Sequence, residues 1–287
     1  DLETLDIPVV KDLKVGYNLQ DHIFLTNFYA SLNLTDDSPK SETDHMYFYL
    51  TRRSDVYAVP LSPSLLFANL NDATAERPNI QFHFWNAPRK NLFIAEYLNS
   101  LSFKPEVIQA VVNFNQDHHL LAMYPKLIQP KSRGRVTLSS KNPLVRPKIA
   151  HGYLTEPEDV KVVVQGMKLA FKLMESKSLN GKRYLIPVPK CAKFDPESDQ
   201  FYECYVRHFM STVYHPAGTC KMGPKNDPDA VVDATLKVYG VSGLRVADSS
   251  IMPTIVSGNT NVPTMMIGEK AADMIKEEWL KKTHTEL

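Results

Sequence analysis

The chain has 287 residues, 43% of them hydrophobic, which is enough to bury one large core or two modest ones. Lys and Arg total 33 against 32 Asp and Glu, and a net charge of +1 gives no electrostatic case for nucleic acid or an anionic membrane as a partner. The sequence contains no run of about eighteen apolar residues, so we expect no membrane span.

The first part of the chain predicts loops and aromatic strands. Residues 1–22 form a loop-rich lead-in. The aromatic stretches Thr43–Leu50 and Asn79–Trp85 are typical of strands, and the proline-bearing stretch Thr51–Asp72 between them is irregular. Aromatic residues of these strands are candidates for a substrate pocket, although core packing is their commoner role. The candidates are Tyr47, Tyr49, Phe82, Phe84 and Trp85.

The middle of the chain predicts a strand pair followed by a helix. His119–Gln129 and Arg135–Ser139 are the two expected strands. A helix begins near Pro157, where Thr155 and Glu158 match a capping box, and a helical stripe of apolar residues follows. The stripe consists of Val160, Val163, Val164, Met167, Ala170, Phe171 and Met174.

The last part of the chain changes in composition. Lys177–Phe201 is a polar connector, and Phe201–Met210 is a short helix. Gly243–Asp248 has the character of a buried strand, Ser249–Pro263 is a turn-rich loop, and Thr264–Leu280 has the apolar face of a helix. The fold class is therefore α+β, with an antiparallel sheet and helices in the middle and a strand–loop–helix unit at the end.

The three cysteines, Cys191, Cys204 and Cys220, are too few for a disulfide framework or a zinc site. A bridge between Cys191 and Cys204 stays open at this level. The adjacent His118 and His119 lack further ligands at a suitable spacing, so we expect no metal. One glycosylation sequon, Asn33-Leu34-Thr35, suggests an extracellular, secreted protein.

Three segments near the C-terminus carry residue types suited to chemistry. Tyr214–Gly223 places His215 in a tight loop, where an imidazole suits a general base. Ser257–Pro263 precedes a helix whose N-terminus offers free N–H groups. Asp248 ends the expected strand. Each segment alone also fits a structural reading, as a loop histidine, an Asn-rich cap and a turn cap.

Together these segments resemble the glucose–methanol–choline (GMC) oxidoreductase family. The resemblance is most specific over residues 214–273, and the stretch Cys204–Arg207 further resembles insect glucose dehydrogenase-like members. The matching segments are Val15–His22, Tyr214–Gly223, Ala230–Gly240, Gly243–Thr254 and Ser257–Asp273.

The resemblance implies FAD-dependent oxidation of an alcohol or sugar. A histidine base takes the hydroxyl proton, the carbon-bound hydrogen passes as hydride to the flavin, and quinone or oxygen is the electron acceptor. His215 matches the base, and Asn259 matches the second active-site position, which is His or Asn in the family. His22 has no catalytic role in this interpretation and orders the loop that contains it.

The resemblance also implies cofactor contacts. Thr260 and Asn261 match positions where backbone N–H groups face the flavin, and Ala247 and Asp248 match the strand end near its ribityl–phosphate region. The strand–loop–helix unit then completes an α/β FAD-binding domain. None of the 11 glycines has the G-x-G-x-x-G spacing of the family's phosphate-binding turn, so most of that domain is absent.

The expected division is a linker and flavin-domain remnant at 1–30, a substrate-binding domain at 31–205, and a segment at 206–287 that returns to the flavin domain. The chain is then a fragment, inactive and poorly soluble by itself. An orphaned, non-catalytic sugar-binding domain is the alternative. A hydrolase that uses Ser249 or Ser250 with His215 is disfavoured because no G-x-S-x-G elbow occurs.

Overall fold

The computed structural model describes residues 1–34, 41–52, 64–72 and 74–285. The chain packs into two compact units, which we name after the kind of backbone structure that predominates in each. The loop unit comprises residues 1–22, 128–159 and 213–287, and the sheet unit comprises residues 23–127 and 160–212. The domain boundaries expected from the sequence were drawn by function, and they stay a prediction.

The described residues contain these strands and helices. The strands are β1 Ile23–Leu25, β2 Phe28–Leu32, β3 Leu65–Ala68, β4 Ile80–Ala87, β5 His119–Leu127, β6 Arg135–Thr137, β7 Lys148–Ala150, β8 Lys182–Leu185 and β9 Met210–Thr212. The helices are α1 Glu42–Arg52, α2 Ile94–Ser100, α3 Pro105–Asp117, α4 Pro157–Met174, α5 Asp199–Phe209 and α6 Asn261–Thr285.

The sheet unit is built on one antiparallel sheet, as the α+β class predicts. Among the described residues it has seven strands, in the order β3-β4-β5-β1-β9, with β2 beside β5 and β8 beside β2. Strand β5 pairs with β4 along one edge, and with β1 and β2 along the other. Asn27, with a left-handed φ of 61°, separates β1 from β2.

Aromatic side chains and the apolar face of helix α4 form a large part of the core of the sheet unit. Tyr29, Tyr124 and Phe82 are fully buried, and every residue of the predicted helical stripe on α4 is buried. Helix α4 lies close to the sheet at Gly166, where an added Cβ would stand 2.4 Å from the side chain of Ile80. A larger residue there would push the helix from the sheet.

The prediction of a strand at Thr43–Leu50 was wrong, because these residues lie in helix α1. Ser41 and Asp44 form reciprocal bonds at the start of this helix, from Ser41 N to Asp44 Oδ2 (2.8 Å) and from Asp44 N to Ser41 Oγ (3.2 Å). This capping box outweighs the β propensity of the aromatic run. The expected irregular stretch Thr51–Asp72 lies partly outside the described residues, and its described part contains strand β3, Leu65–Ala68, which was not predicted.

Two further expectations about strands need correction. Strands β5 and β6 both exist but do not pair, because β6 pairs with β7 and Gly134 bonds both ways to Leu19. The strand expected at Gly243–Asp248 is reduced to one bridge between Arg245 and Lys237, since its neighbour is a short loop rather than a ladder.

Several elements were not predicted, and one boundary moved. The connector Lys177–Phe201 contains β8 and a 3-10 helix at Pro189–Cys191. The predicted helices at Pro157 and Phe201–Met210 correspond to α4 and α5, whereas α6 begins three residues before the expected Thr264. Strands β1 and β2 and helices α2 and α3 were also not predicted from the sequence.

A disulfide joins Cys191 to Cys204 within the sheet unit, which resolves the pairing that the sequence left open. It connects the 3-10 helix at Pro189–Cys191 to helix α5. The disulfide therefore anchors the segment around Pro189–Cys191 to helix α5, whose own apolar face is buried at Tyr205 and Phe209.

The loop unit contains a second core made mostly from irregular segments. Val231, Val232 and Leu236 are buried together with Ile251 and with Ile267 of helix α6. Backbone bonds between short segments replace an extended ladder here. The loop unit therefore depends on specific loop conformations for its backbone pairing.

Candidate functional site

Two segments distant in sequence are bound together in the loop unit. The backbones of Gln20 and Ala217 exchange two hydrogen bonds of 2.9 Å each. The Asn18 side chain donates to the carbonyl of Gly218 at 3.2 Å. The short segment 18–22 thereby fixes the loop that contains His215.

A third segment, residues 249–255, is bound to the same loop. Cys220 N and Met222 N donate to the carbonyls of Ser250 and Ile251, both at 2.8 Å. The Gln20 side chain also reaches this segment, since its Oε1 accepts from Ile255 N at 3.1 Å. All three segments overlap the family-like motifs, and together they form one hydrogen-bonded cluster around the loop that contains His215.

His215 lies in this cluster against a second histidine. The Nδ1 atoms of His22 and His215 are 3.0 Å apart, and the rings meet edge to face at 86°. His22 is fully buried, and its Nε2 lies 3.2 Å from the carbonyl oxygen of Ile128. His215 is half-buried. The candidate base therefore has a buried imidazole partner on its Nδ1 side.

Asp21 holds the backbone of this histidine pair. Its Oδ1 accepts from His215 N at 3.0 Å, and its Oδ2 accepts from the Tyr153 hydroxyl at 2.5 Å. The carbonyl of His22 in turn accepts from Val213 N at 3.1 Å. Both histidines are thus fixed through their main chains.

Sequence reasoning missed the contacts of Gln20, Asp21 and His22 with the candidate base loop. It assigned to His22 an ordering role for its own loop, and the structure adds the hydrogen bond to His215. The signal was available in the NLQDH run, where four polar residues stand together in an otherwise loop-rich lead-in. Nothing in that spacing indicates a partner 193 residues away.

The residues predicted to lie near the ribityl–phosphate region of the flavin are on the surface of the loop unit. Ala247 and Asp248 are both exposed. Asp248 caps a 3-10 helix at Ser249–Ile251, where its side chain accepts from Ser250 N at 2.7 Å. Burial raises the pKa of the nearby Cys220 thiol, and a hydrogen bond with Ser250 partly offsets that rise.

The predicted flavin-facing residues lie at the start of helix α6. Asn261 is its first residue and is exposed, Thr260 is buried, and Asn259 is exposed. The Thr260 carbonyl accepts from the N–H of Thr264 at 3.0 Å, which is the first intrahelical bond. The N–H groups of the first turn before Thr264 have no intrahelical acceptor, as at any helix start.

The aromatic pocket candidates divide between core and surface. Phe82 and Trp85 are buried in the sheet unit, and Trp85 stacks with Tyr97 and Tyr124. Tyr47 is exposed on helix α1, whereas Tyr49 and Phe84 are half-buried. Core packing therefore accounts for Phe82 and Trp85.

The loop unit also contains an open cavity of about 980 Å³. Its polar lining includes Asn18, Arg133 and Tyr239, together with the ion pair of Lys221 and Asp227 at 2.7 Å. None of the six predicted site residues lines it, so among the described residues the cavity is distinct from the predicted catalytic and cofactor positions.

Two other chemical readings find little support in the geometry. The Ser249 hydroxyl donates to the Pro216 carbonyl at 3.0 Å, a bond that gives it no activating base. Cys191, Cys204 and His208 bring potential metal-ligand atoms within 4.8 Å of one another, but the two sulfurs form the disulfide and are not thiolate ligands. Among the described residues, no helix is long and apolar enough to cross a membrane.

Comparison with known proteins identifies the relatives of the chain. A family model described as GMC oxidoreductase matches residues 130–268. Glucose dehydrogenase [FAD, quinone] of Drosophila pseudoobscura pseudoobscura is 36% identical over 97% of this chain and 43% of its own length. Alcohol dehydrogenase [acceptor] of Pseudomonas putida is 34% identical over 96% of this chain and 46% of its own length.

The fold has relatives among solved structures. A formate oxidase of Aspergillus oryzae RIB40 superposes with a TM-score of 0.75 at 24% identity, over 96% of this chain and 50% of that chain. The chain thus spans about half the length of the proteins that it matches.

Proposed function

Because this chain belongs to the GMC oxidoreductase family, we propose that it is the C-terminal, substrate-binding and catalytic part of a FAD-dependent oxidoreductase that acts on the CH–OH group of an alcohol or sugar. The observation that carries the proposal is the family match over residues 130–268, which includes His215 in its hydrogen-bonded cluster. Quinone or oxygen is the proposed electron acceptor, and the name of the Drosophila relative includes quinone.

His215 is the proposed base for the substrate hydroxyl. An imidazole titrates near neutral pH, and removal of the hydroxyl proton makes the adjacent C–H a better hydride donor. Asn259 would hydrogen-bond the substrate oxygen, because an amide can donate but does not titrate. Its exposure in the loop unit is compatible with contact to a substrate.

The residues at the start of helix α6 fit a flavin by the chemistry of their donors. The first turn offers backbone N–H groups and the positive end of the helix dipole, which favour an anionic ring. Val262, Met265 and Met266 are 71%, 57% and 64% exposed, an apolar surface suited to a large planar partner. When bound, FAD supplies the hydride acceptor.

The test is turnover by the flavin-loaded, full-length protein with His215→Ala. We expect a loss of about 10²- to 10⁴-fold, since that is the usual contribution of a positioned base. His118→Ala is the matched control, because the His118 ring is likewise hydrogen-bonded through Nδ1, 3.0 Å from the carbonyl oxygen of Phe114, but lies in the sheet unit. Wild-type turnover by His215→Ala would remove the base assignment.

The full-length protein also tests the need for FAD and the identity of the electron acceptor. We propose that these 287 residues alone are inactive, because none of their glycines has the G-x-G-x-x-G spacing, and that FAD binding and turnover require a complete flavin-binding domain. Comparing a quinone with oxygen as the electron acceptor separates a dehydrogenase from an oxidase.

The Cys191–Cys204 disulfide supports secretion, because such bonds persist in oxidising compartments. Recovery of the protein only from the cytosol, with both thiols reduced, would contradict secretion.

A further inference from the structure

The hydrogen bond between His22 and His215 has a direction that a third group determines. Nε2 of His22 lies 3.2 Å from the carbonyl oxygen of Ile128. A carbonyl oxygen only accepts hydrogen bonds, so Nε2 carries the hydrogen of His22. A neutral imidazole has one N–H, and Nδ1 of His22 is therefore the acceptor.

The tautomer of His215 follows from that acceptor. Its Nδ1 lies 3.0 Å from Nδ1 of His22, and two nitrogens at this distance share one hydrogen. Because His22 provides the lone pair, His215 provides the N–H. The proton of neutral His215 is then on Nδ1, and Nε2 is the basic nitrogen.

We propose that His22 is a positioning residue that holds His215 in the Nδ1–H tautomer, so that Nε2 takes the substrate proton. The proposal rests on the proposed role of His215 as the base. In the proton transfer, the O–H bond of the substrate breaks and an N–H bond forms at Nε2 of His215. The Nδ1–H bond of His215 stays intact, so no proton moves to His22.

The opposite arrangement needs a charged His22. A doubly protonated His22 would donate to both Ile128 and His215, and His215 would then carry its hydrogen on Nε2, which disables it as a base. His22 is 0% exposed, and a buried imidazolium is costly. Burial therefore favours the neutral His22 that the proposal requires.

The backbone supports the same geometry before and after proton transfer. Val213 N donates to the His22 carbonyl at 3.1 Å, and His215 N donates to Asp21 Oδ1 at 3.0 Å. Once His215 becomes an imidazolium, its Nδ1–H still points at the same acceptor. His22 thus stabilises the charged product of the step without leaving its place, as an orienting group does for other catalytic histidines.

Two variants separate the two bonds of His22. The amide of Asn reaches about as far as Nδ1 of histidine, so His22→Asn keeps an acceptor for His215 and loses the bond to Ile128. The longer Gln reaches about as far as Nε2, so His22→Gln keeps the bond to Ile128 and loses the acceptor. Both variants remove the titratable ring and are similar in size.

The rate to measure is anaerobic flavin reduction in the full-length, flavin-loaded protein, with D-glucose and a series of primary alcohols as the probes. We expect His22→Asn to stay within about fivefold of wild type and His22→Gln to fall by about 100-fold. In a His215→Ala background, His22→Gln should cost almost nothing further, because it acts through His215. Equal losses in Asn and Gln variants, or a full additional loss in that background, would overturn the proposal.

A second measurement reads the tautomer without any turnover. In protein labelled with 15N-histidine, His215 is assigned from the signal that disappears in His215→Gln, and its two ring nitrogens are classified as protonated or unprotonated. We expect the protonated nitrogen to be Nδ1 in wild type and a mixture in His22→Gln. A proton on Nε2 in wild type would refute the positioning role. Wild-type turnover by His215→Ala would instead refute the role of His215 as the base, while the tautomer imposed by His22 would still be read from the nitrogen signals.

Discussion

The two units of the chain obtain their order in different ways. In the sheet unit, long ladders such as the pairing of β4 with β5 and a buried aromatic core determine the structure. In the loop unit, single bonds from side chains such as Gln20 and Asp21 to distant backbone groups hold the candidate base loop. The sheet unit should therefore respond to volume changes, and the loop unit to the loss of individual polar contacts.

The largest effect on stability is expected from a cavity in the sheet unit. Phe82→Ala removes a fully buried ring on β4 and should lower the free energy of unfolding by about 3–5 kcal/mol. Phe67→Ala on the neighbouring β3 is the control, because Phe67 is 46% exposed and should cost about 1 kcal/mol or less.

Hydrogen exchange locates the loss caused by Phe82→Ala. If the units are held independently, amides of the sheet unit lose protection while those around His215 keep theirs. Equal loss of protection in both units would show that they unfold together and that their structures are not held independently.

The disulfide of the sheet unit should have the next largest effect. Replacing Cys191 and Cys204 by Ser opens a crosslink with a sequence separation of 13, which is worth about 3 kcal/mol by the loop-entropy relation. Urea unfolding with and without reductant measures it. Cys220→Ser in the loop unit should leave the response to reductant unchanged, since Cys220 is a free thiol.

In the loop unit, Gly218 tests the contact between the segment 18–22 and the loop that contains His215. Gly218 has a φ of 90°, and an added Cβ would stand 2.5 Å from the carbonyl oxygen of Asn18. Gly218→Ala should cost about 1–3 kcal/mol of backbone strain and slow flavin reduction about tenfold or more by displacing His215. The control is Gly268→Ala on helix α6, where the added Cβ meets open space and should be neutral or stabilising.

Sequence patterns predicted the two units unequally. The period of apolar residues located α4, and the Gly- and Asn-containing motifs located the loops around His215 and Asn259. Helix α1 was misread because aromatic residues suggested a strand, although Ser41 and Asp44 carried a helix signal. The pairing of His22 with His215 could not be predicted, since it depends on a loop-to-loop contact with no local periodicity.

The smallest expected effect is a loss of stability at low pH where helix α6 contacts the rest of the loop unit. Hydrogen bonds from Lys237 and Arg245 lower the pKa of Glu278 to about 2. Because this pKa is below the ordinary value of 4.5, the stabilisation is complete above about pH 4.5 and is lost as the pH falls toward 2.

Glu278→Gln should therefore remove part of the acid sensitivity of unfolding between pH 4.5 and 2 while changing the sheet unit little. Urea midpoints across that range, for wild type and variant, measure the difference. In a Lys237→Met background the same substitution should have a smaller effect, because one of the two cations that lower the pKa is gone. An equal effect in both backgrounds would mean that Lys237 does not stabilise the carboxylate and that Arg245 alone accounts for the lowered pKa.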